Sequence, residues 1–280
     1  MMIIDACLDA LWDALKTVPF LFLAFLLMEA LEHYAGHRTG TWFSRAGKAG
    51  PVLGAVLGLV PQCGFSAAAA NLYSGGVITL GTLLAVFLST SDEAVLIFLG
   101  HPGQKSLIGS LLLAKLVIGI LGGCLADLLF GRRDSKKEIG DLCHSCGCHD
   151  SRGILRPALV HTLRIFVWLF LITLFLNLLL ELWGMERLAL LLGRNRGLQP
   201  FLTALIGLIP NCAASVLLAE LYLAGGISFG AAVAGLCSGA GLGLVVLFRM
   251  DNSRRECAGI LALLYAVAVL AGLVLQLWPI

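Results

Sequence analysis

Apolar residues dominate eight stretches of the chain, at about 10–31, 51–73, 77–99, 106–131, 157–183, 198–223, 226–248 and 257–279. About 20 apolar residues cross the hydrocarbon of a bilayer as a helix, so each stretch is long enough to be a span. Lipid cannot satisfy open backbone groups, so all eight are expected to be helical. The pattern therefore predicts an all-α polytopic membrane protein. One long polar stretch, 132–156, divides the chain into a first transmembrane unit, 1–131, and a second, 157–280.

The two units resemble each other. At an offset of 149 positions, residues 51–99 align with 200–248 without a gap and share 16 identities. Pro51, Gly58, Pro61, Cys63, Ser66, Tyr73, Gly76 and Ser89 meet Pro200, Gly207, Pro210, Cys212, Ser215, Tyr222, Gly225 and Ser238. Apolar composition alone does not bring Pro, Cys and Tyr into register together. Such duplication is common among secondary transporters. Lys and Arg favour the cytoplasmic side of a membrane. If all eight segments cross, inside loops carry 10 basic residues and outside loops 6; if 51–73 and 198–223 dip in and return, the division is 12 to 4. The second arrangement implies inverted repeats with re-entrant or broken helices, and places the 132–156 linker in the cytoplasm.

Breaks are written into the apolar stretches. Pro61 sits mid-segment between Gly58 and Gly64, and an interior proline removes a hydrogen bond and clashes with the preceding turn. Two half-helices meeting at PQCG are expected, with PNCA as the partner; a plain proline kink is the alternative. Half-helix ends near the midplane are where secondary transporters bind substrate. The next segment carries Ser89-x-x-Asp92 and Thr90-x-x-Glu93, both shaped like capping boxes that restart a helix. Its partner LCSGAGLGL has glycines at the same place. Asp92 and Glu93 lie inside an apolar run, where carboxylates are costly and by default functional; capping a buried helix end is the competing role.

Candidate chemistry follows from these positions. Cys63 and Cys212 are soft donors beside the paired prolines, and Gln62, Asn211, Ser66 and Ser215 add oxygen contacts. Asn71 and Glu220 are equivalent, each eight residues after its cysteine, and complete the candidate substrate-binding set. Glu29, Glu32 and His33 share one helix face by their i, i+3, i+4 spacing. With Asp92 and Glu93 they form the ion-coupling candidates, although an interfacial, solvated role fits the first three equally well. In the linker, Cys143, His144, Cys146, Cys148 and His149 pack three thiols and two imidazoles into seven residues, a donor set suited to a soft metal ion.

Composition narrows the field. The chain is 59% hydrophobic and 13% charged, with a net charge of +2, which points to lipid and away from nucleic acid. The nine cysteines are scattered or clustered in the polar loop, a pattern of reduced thiols rather than a disulfide framework. Residues 1–15 carry no Lys or Arg, so the first apolar stretch is expected to be a retained span rather than a signal peptide. No phosphate-binding loop of the form GxxxxGK[ST] is present, which argues against ATP hydrolysis.

The strings MEALEH, GKAGPVLGAVLGLVPQCGFSAAAANLY, ITLGTLLAVFLSTSDE, HTLRIF, IPNCAASVLLAELYL and FGAAVAGLCSGAGLGLVVLF resemble the ten-transmembrane heavy-metal exporter family. Its members are described as arsenic efflux proteins akin to the organoarsenical permeases, and some are labelled manganese transporters. The resemblance covers nearly the whole chain. It implies an exporter of a heavy metal or metalloid, arsenite or an organoarsenical, in a multi-pass plasma (inner) membrane protein. No cofactor is required on this reading, a metal ion at the linker cluster aside; the partners are the bilayer and the solute, and a homo-oligomer is compatible with it. A manganese carrier would lean on Asp92, Glu93, Asn71 and Glu220, since manganese prefers oxygen ligands. A lipid pyrophosphate phosphatase-like enzyme is the third reading, with Glu29 and Glu32 as paired glutamates. The breaks hold no Arg to pair with phosphate, so a non-enzyme is expected.

Overall fold

A computed structural model describes residues 49–60, 63–90, 94–99, 105–130, 196–210, 212–249 and 253–277, with isolated helical positions between 15 and 26 and between 159 and 174. Every long element among them is an α-helix and none is a strand. In the first half these are α1 (Gly50–Gly58), α2 (Cys63–Ser74), α3 (Leu80–Ser89), α4 (Ala94–Leu99) and α5 (Lys105–Phe130). The second half has α6 (Gln199–Gly207), α7 (Cys212–Leu223), α8 (Phe229–Ser238), α9 (Leu242–Arg249) and α10 (Arg254–Leu277). The starts of α1, α2, α3 and α5 map onto those of α6, α7, α8 and α10 at the offset of 149 seen in the sequence.

The same local devices shape both halves. Pro51 and Pro200 stand in the first turn of α1 and α6, where a missing N–H costs nothing. α2 and α7 each end in a tight turn in which Val77 N–H donates to the Leu72 carbonyl, and Gly226 N–H to the Leu221 carbonyl, at 2.8 Å. This six-to-one closure requires a left-handed residue; Gly76 and Gly225 supply it, with φ of 71° and 72°. Thr79 and Ser228 then cap α3 and α8, accepting from Thr82 N–H and Ala231 N–H at 3.2 Å. Where α3 leads toward α4, Thr90 leaves helical geometry (φ −52°, ψ 121°), and Gly239 does so after α8 (φ −75°, ψ 82°). The Ser89 and Thr90 hydroxyls both donate back into α3, to the Ala85 and Val86 carbonyls.

α3 and α8 are buried along almost their whole length and form the centre. α1 and α5 flank α3, and α6 and α10 flank α8. Small residues bring these helices close, as they do in membranes: a Cβ on Gly81 would collide with the Gly123 carbonyl, and one on Gly230 with that of Gly272. Asp127, in the last turn of α5, accepts from Thr79 Oγ1 at 2.9 Å and from Gly81 N–H at 2.8 Å. Gln276, at the same position of α10, donates to Ser228 Oγ at 2.7 Å. The halves also interlock. α2 packs on α9 of the other half, where a Cβ on Gly243 would strike the Ser66 backbone, and α7 packs on α4, where Phe98 and Tyr222 meet edge to face at 6.1 Å. Tyr73 donates across the halves to Glu256 Oε1 at 2.8 Å.

The outer walls are apolar. Leu113, Leu121 and Leu128 on α5 and Leu270, Val274 and Leu277 on α10 are 61–84% exposed, as lipid-facing side chains would be. By length and composition, Leu107–Phe130, Phe229–Arg249 and Arg254–Leu277 can each cross a membrane. Phe229–Arg249 does so as a broken helix, α8 followed by α9. Of the segments 10–31 and 157–183, Phe22, Leu26, Phe166 and Phe170 are helical and pack against the core.

Candidate functional site

The breaks converge. One small cavity is lined by Thr90 after α3, Gly207 and Ile209 at the end of α6, Ala214 and Ser215 in the first turn of α7, Gly235, Leu236 and Gly239 at the end of α8, and Gly241 before α9. Gly241 takes a left-handed φ of 49°, which lets the chain turn from α8 into α9 within three residues. Helix termini leave N–H and C=O groups without intrahelical partners, so a cavity ringed by five such ends is polar despite apolar walls.

The remaining wall is Lys115. It stands eleventh in the 26-residue α5, so about 15 Å of helix lies before it and about 22 Å after it. Its side chain is 2% exposed, and its Nζ donates to the Thr90 carbonyl at the C-terminal end of α3, where the helix dipole favours a cation. Cys237 of α8, fully buried, is within electrostatic reach of it. Lys115 is hidden in the sequence by its setting, since 106–131 reads as one apolar stretch. The signal was available as the one charge in LLLAKLVIGI. The position equivalent to Lys115 in the second half is Leu264, also fully buried, so the architecture accepts an apolar side chain there.

The expected substrate-binding residues divide. Ser215 lies at the cavity, whereas Ser66 is fully buried at the crossing of α2 and α9. Cys63 and Cys212 open α2 and α7, as half-helices restarting after Pro61 and Pro210 require, though their side chains lie outside the described residues. Asn71 is 2% exposed and its Oδ1 is a buried acceptor with no hydrogen-bond partner. Its counterpart Glu220 is exposed. Gln62, Asn211, Asp92, Glu93, Glu29, Glu32 and His33 lie outside the described residues, as does the cluster Cys143, His144, Cys146, Cys148 and His149. Among the described residues no three His, Cys, Asp or Glu side chains gather as a metal-binding group.

The family described as "Putative, 10TM heavy-metal exporter" matches residues 1–183 and 165–279. The chain belongs to this family. No curated protein and no solved structure matches it. Membership in the exporter family agrees with the apolar outer walls and identifies a multi-pass membrane protein of the heavy-metal efflux type. In this exporter the helix ends, rather than a cluster of charged side chains, make up most of the described site.

Proposed function

We propose that the protein exports a heavy metal or metalloid, of the arsenite or organoarsenical type, by ion-coupled secondary transport through the cavity where the helix ends meet. The observation that carries this reading is the convergence of ends from both halves on one buried, polar point, the arrangement by which broken-helix carriers hold substrate near the midplane. On this reading the halves are inverted repeats, 132–156 is cytoplasmic, and the protein sits in the inner (plasma) membrane without enzymatic activity. On the same reading Cys63 and Cys212, which open α2 and α7, supply soft donors, with Ser215 adding oxygen. The linker cluster captures the thiophilic solute on the cytoplasmic side. A second reading, manganese, is favoured by the unpaired buried oxygen of Asn71, because manganese takes oxygen ligands. Uptake into everted vesicles of arsenite, methylarsenite, manganese and zinc separates them. Accumulation of the arsenicals above vesicles lacking the protein supports the first reading; accumulation of manganese alone replaces it with the second; uptake of none of the four rejects both.

A further inference from the structure

Lys115 is the strongest feature of the molecule that the transport reading does not use. A buried lysine in the middle of a span is expensive to keep, and the equivalent place in the second half is filled by the apolar Leu264. Its Nζ reaches the Thr90 carbonyl, beyond the last turn of α3, on the wall of the central cavity. In carriers built from broken helices, half-helix C-terminal ends and unwound carbonyls are the groups that hold a coupling cation. Here the chain's own ammonium stands at such an end.

We infer that Lys115 is a tethered cation of the transport cycle: its ammonium holds, at the C-terminal end of α3, the place that a soluble metal cation would otherwise fill. The inference rests on the transport reading and adds to it the identity of one charge at the site. Transport then requires a positive charge at this point but no sodium. Of the described elements packed against α5, α1, α3 and α4 carry no ionisable side chain, and α8 brings Cys237. α10 carries its charges in its first turn, where Glu256 binds Tyr73, and its Tyr265 hydroxyl is turned to the Phe201 carbonyl of α6. Asp92 and Glu93, which follow Thr90 in the sequence, lie outside the described residues.

The test is arsenite uptake into everted vesicles by the full-length protein, Lys115→Ala and Lys115→Met. Wild-type uptake should be unchanged when sodium is replaced by choline. Both variants should reach the membrane, since an apolar residue is tolerated at Leu264, and both should lose transport at least tenfold. Ethylammonium should restore Lys115→Ala severalfold, entering the space left by the side chain, while ethanol of similar size should not; Lys115→Met, with that space filled, should gain nothing. A sodium requirement in the wild type, full activity in either variant without added cation, or a dead Lys115→Ala that ethylammonium fails to restore each overturns the inference. Lack of uptake of arsenite, methylarsenite, manganese and zinc by the wild type instead overturns the exporter reading, and the inference falls with it.

Discussion

Asn71→Ala should make the protein more stable and less active. Asn71 is 2% exposed on α2 and its Oδ1 accepts no hydrogen bond. Burying an unpaired acceptor costs about 1–3 kcal/mol. Alanine removes that penalty and gains about 0.6 kcal/mol in helix propensity. Against this, deleting the amide group removes roughly 30 Å³ of side chain, which at about 24 cal/mol per Å³ costs about 0.7 kcal/mol. The last two effects cancel, leaving a net gain of about 1–3 kcal/mol, or a rise of between about 2 and 12 °C in melting temperature for a chain of this size. The assay is thermal unfolding of purified protein in detergent, followed by size-exclusion chromatography and paired with vesicle uptake of arsenite and manganese. On the manganese reading, manganese uptake should fall tenfold or more, because an oxygen kept unpaired at a cost in stability is then held for that solute. A lowered melting temperature would mean that Oδ1 is satisfied in the folded protein, and the argument for Asn71 as a contact of the cargo would collapse.

Other perturbations have expected outcomes. Cys63→Ser and Cys212→Ser should each abolish uptake of a thiophilic solute at normal expression, and full arsenite uptake by the double variant would end the role of these thiols. Asp127→Ala removes an acceptor from both Thr79 Oγ1 and Gly81 N–H and should cost about 3 kcal/mol, while Asp127→Asn, which keeps an oxygen for Gly81, should cost about 1 kcal/mol. Equal melting temperatures for the two variants would contradict that assignment. Gly123→Leu should prevent α5 from closing on α3, because even a Cβ there meets the Gly81 carbonyl and Ala85; recovery of monodisperse protein in detergent would show that the helices can separate without loss.

Much of this architecture is legible in one sequence, because prolines and glycines act locally. Pro61 and Pro210 mark where α2 and α7 restart, and Gly76 and Gly225 mark the turns that end them. The starts of α1, α2, α3 and α5 lie 149 residues before those of α6, α7, α8 and α10. What cannot be read locally is which helix meets which. Asn71 and Glu220 align and were expected to act alike, yet one is buried and the other exposed. α2 lies against α9 of the other half, whereas α7 lies against α4, so the two equivalent positions meet different neighbours. Lys115 is a different case: a charge in an apolar run is visible in the sequence, but its partner Thr90 is set by how α5 crosses the end of α3.

The exchange of α2 and α7 between the halves has a consequence for biosynthesis. α2 leaves the ribosome without its packing partner, because α9 begins 168 residues after α2 ends. At about 5–20 residues per second of translation, that interval is on the order of ten to thirty seconds. Throughout it the small-residue face of α2 that meets α9 lacks that partner, while α1 and α3 of its own half are already present. The packing of α2 on α9 is therefore completed only after the second half has been synthesised.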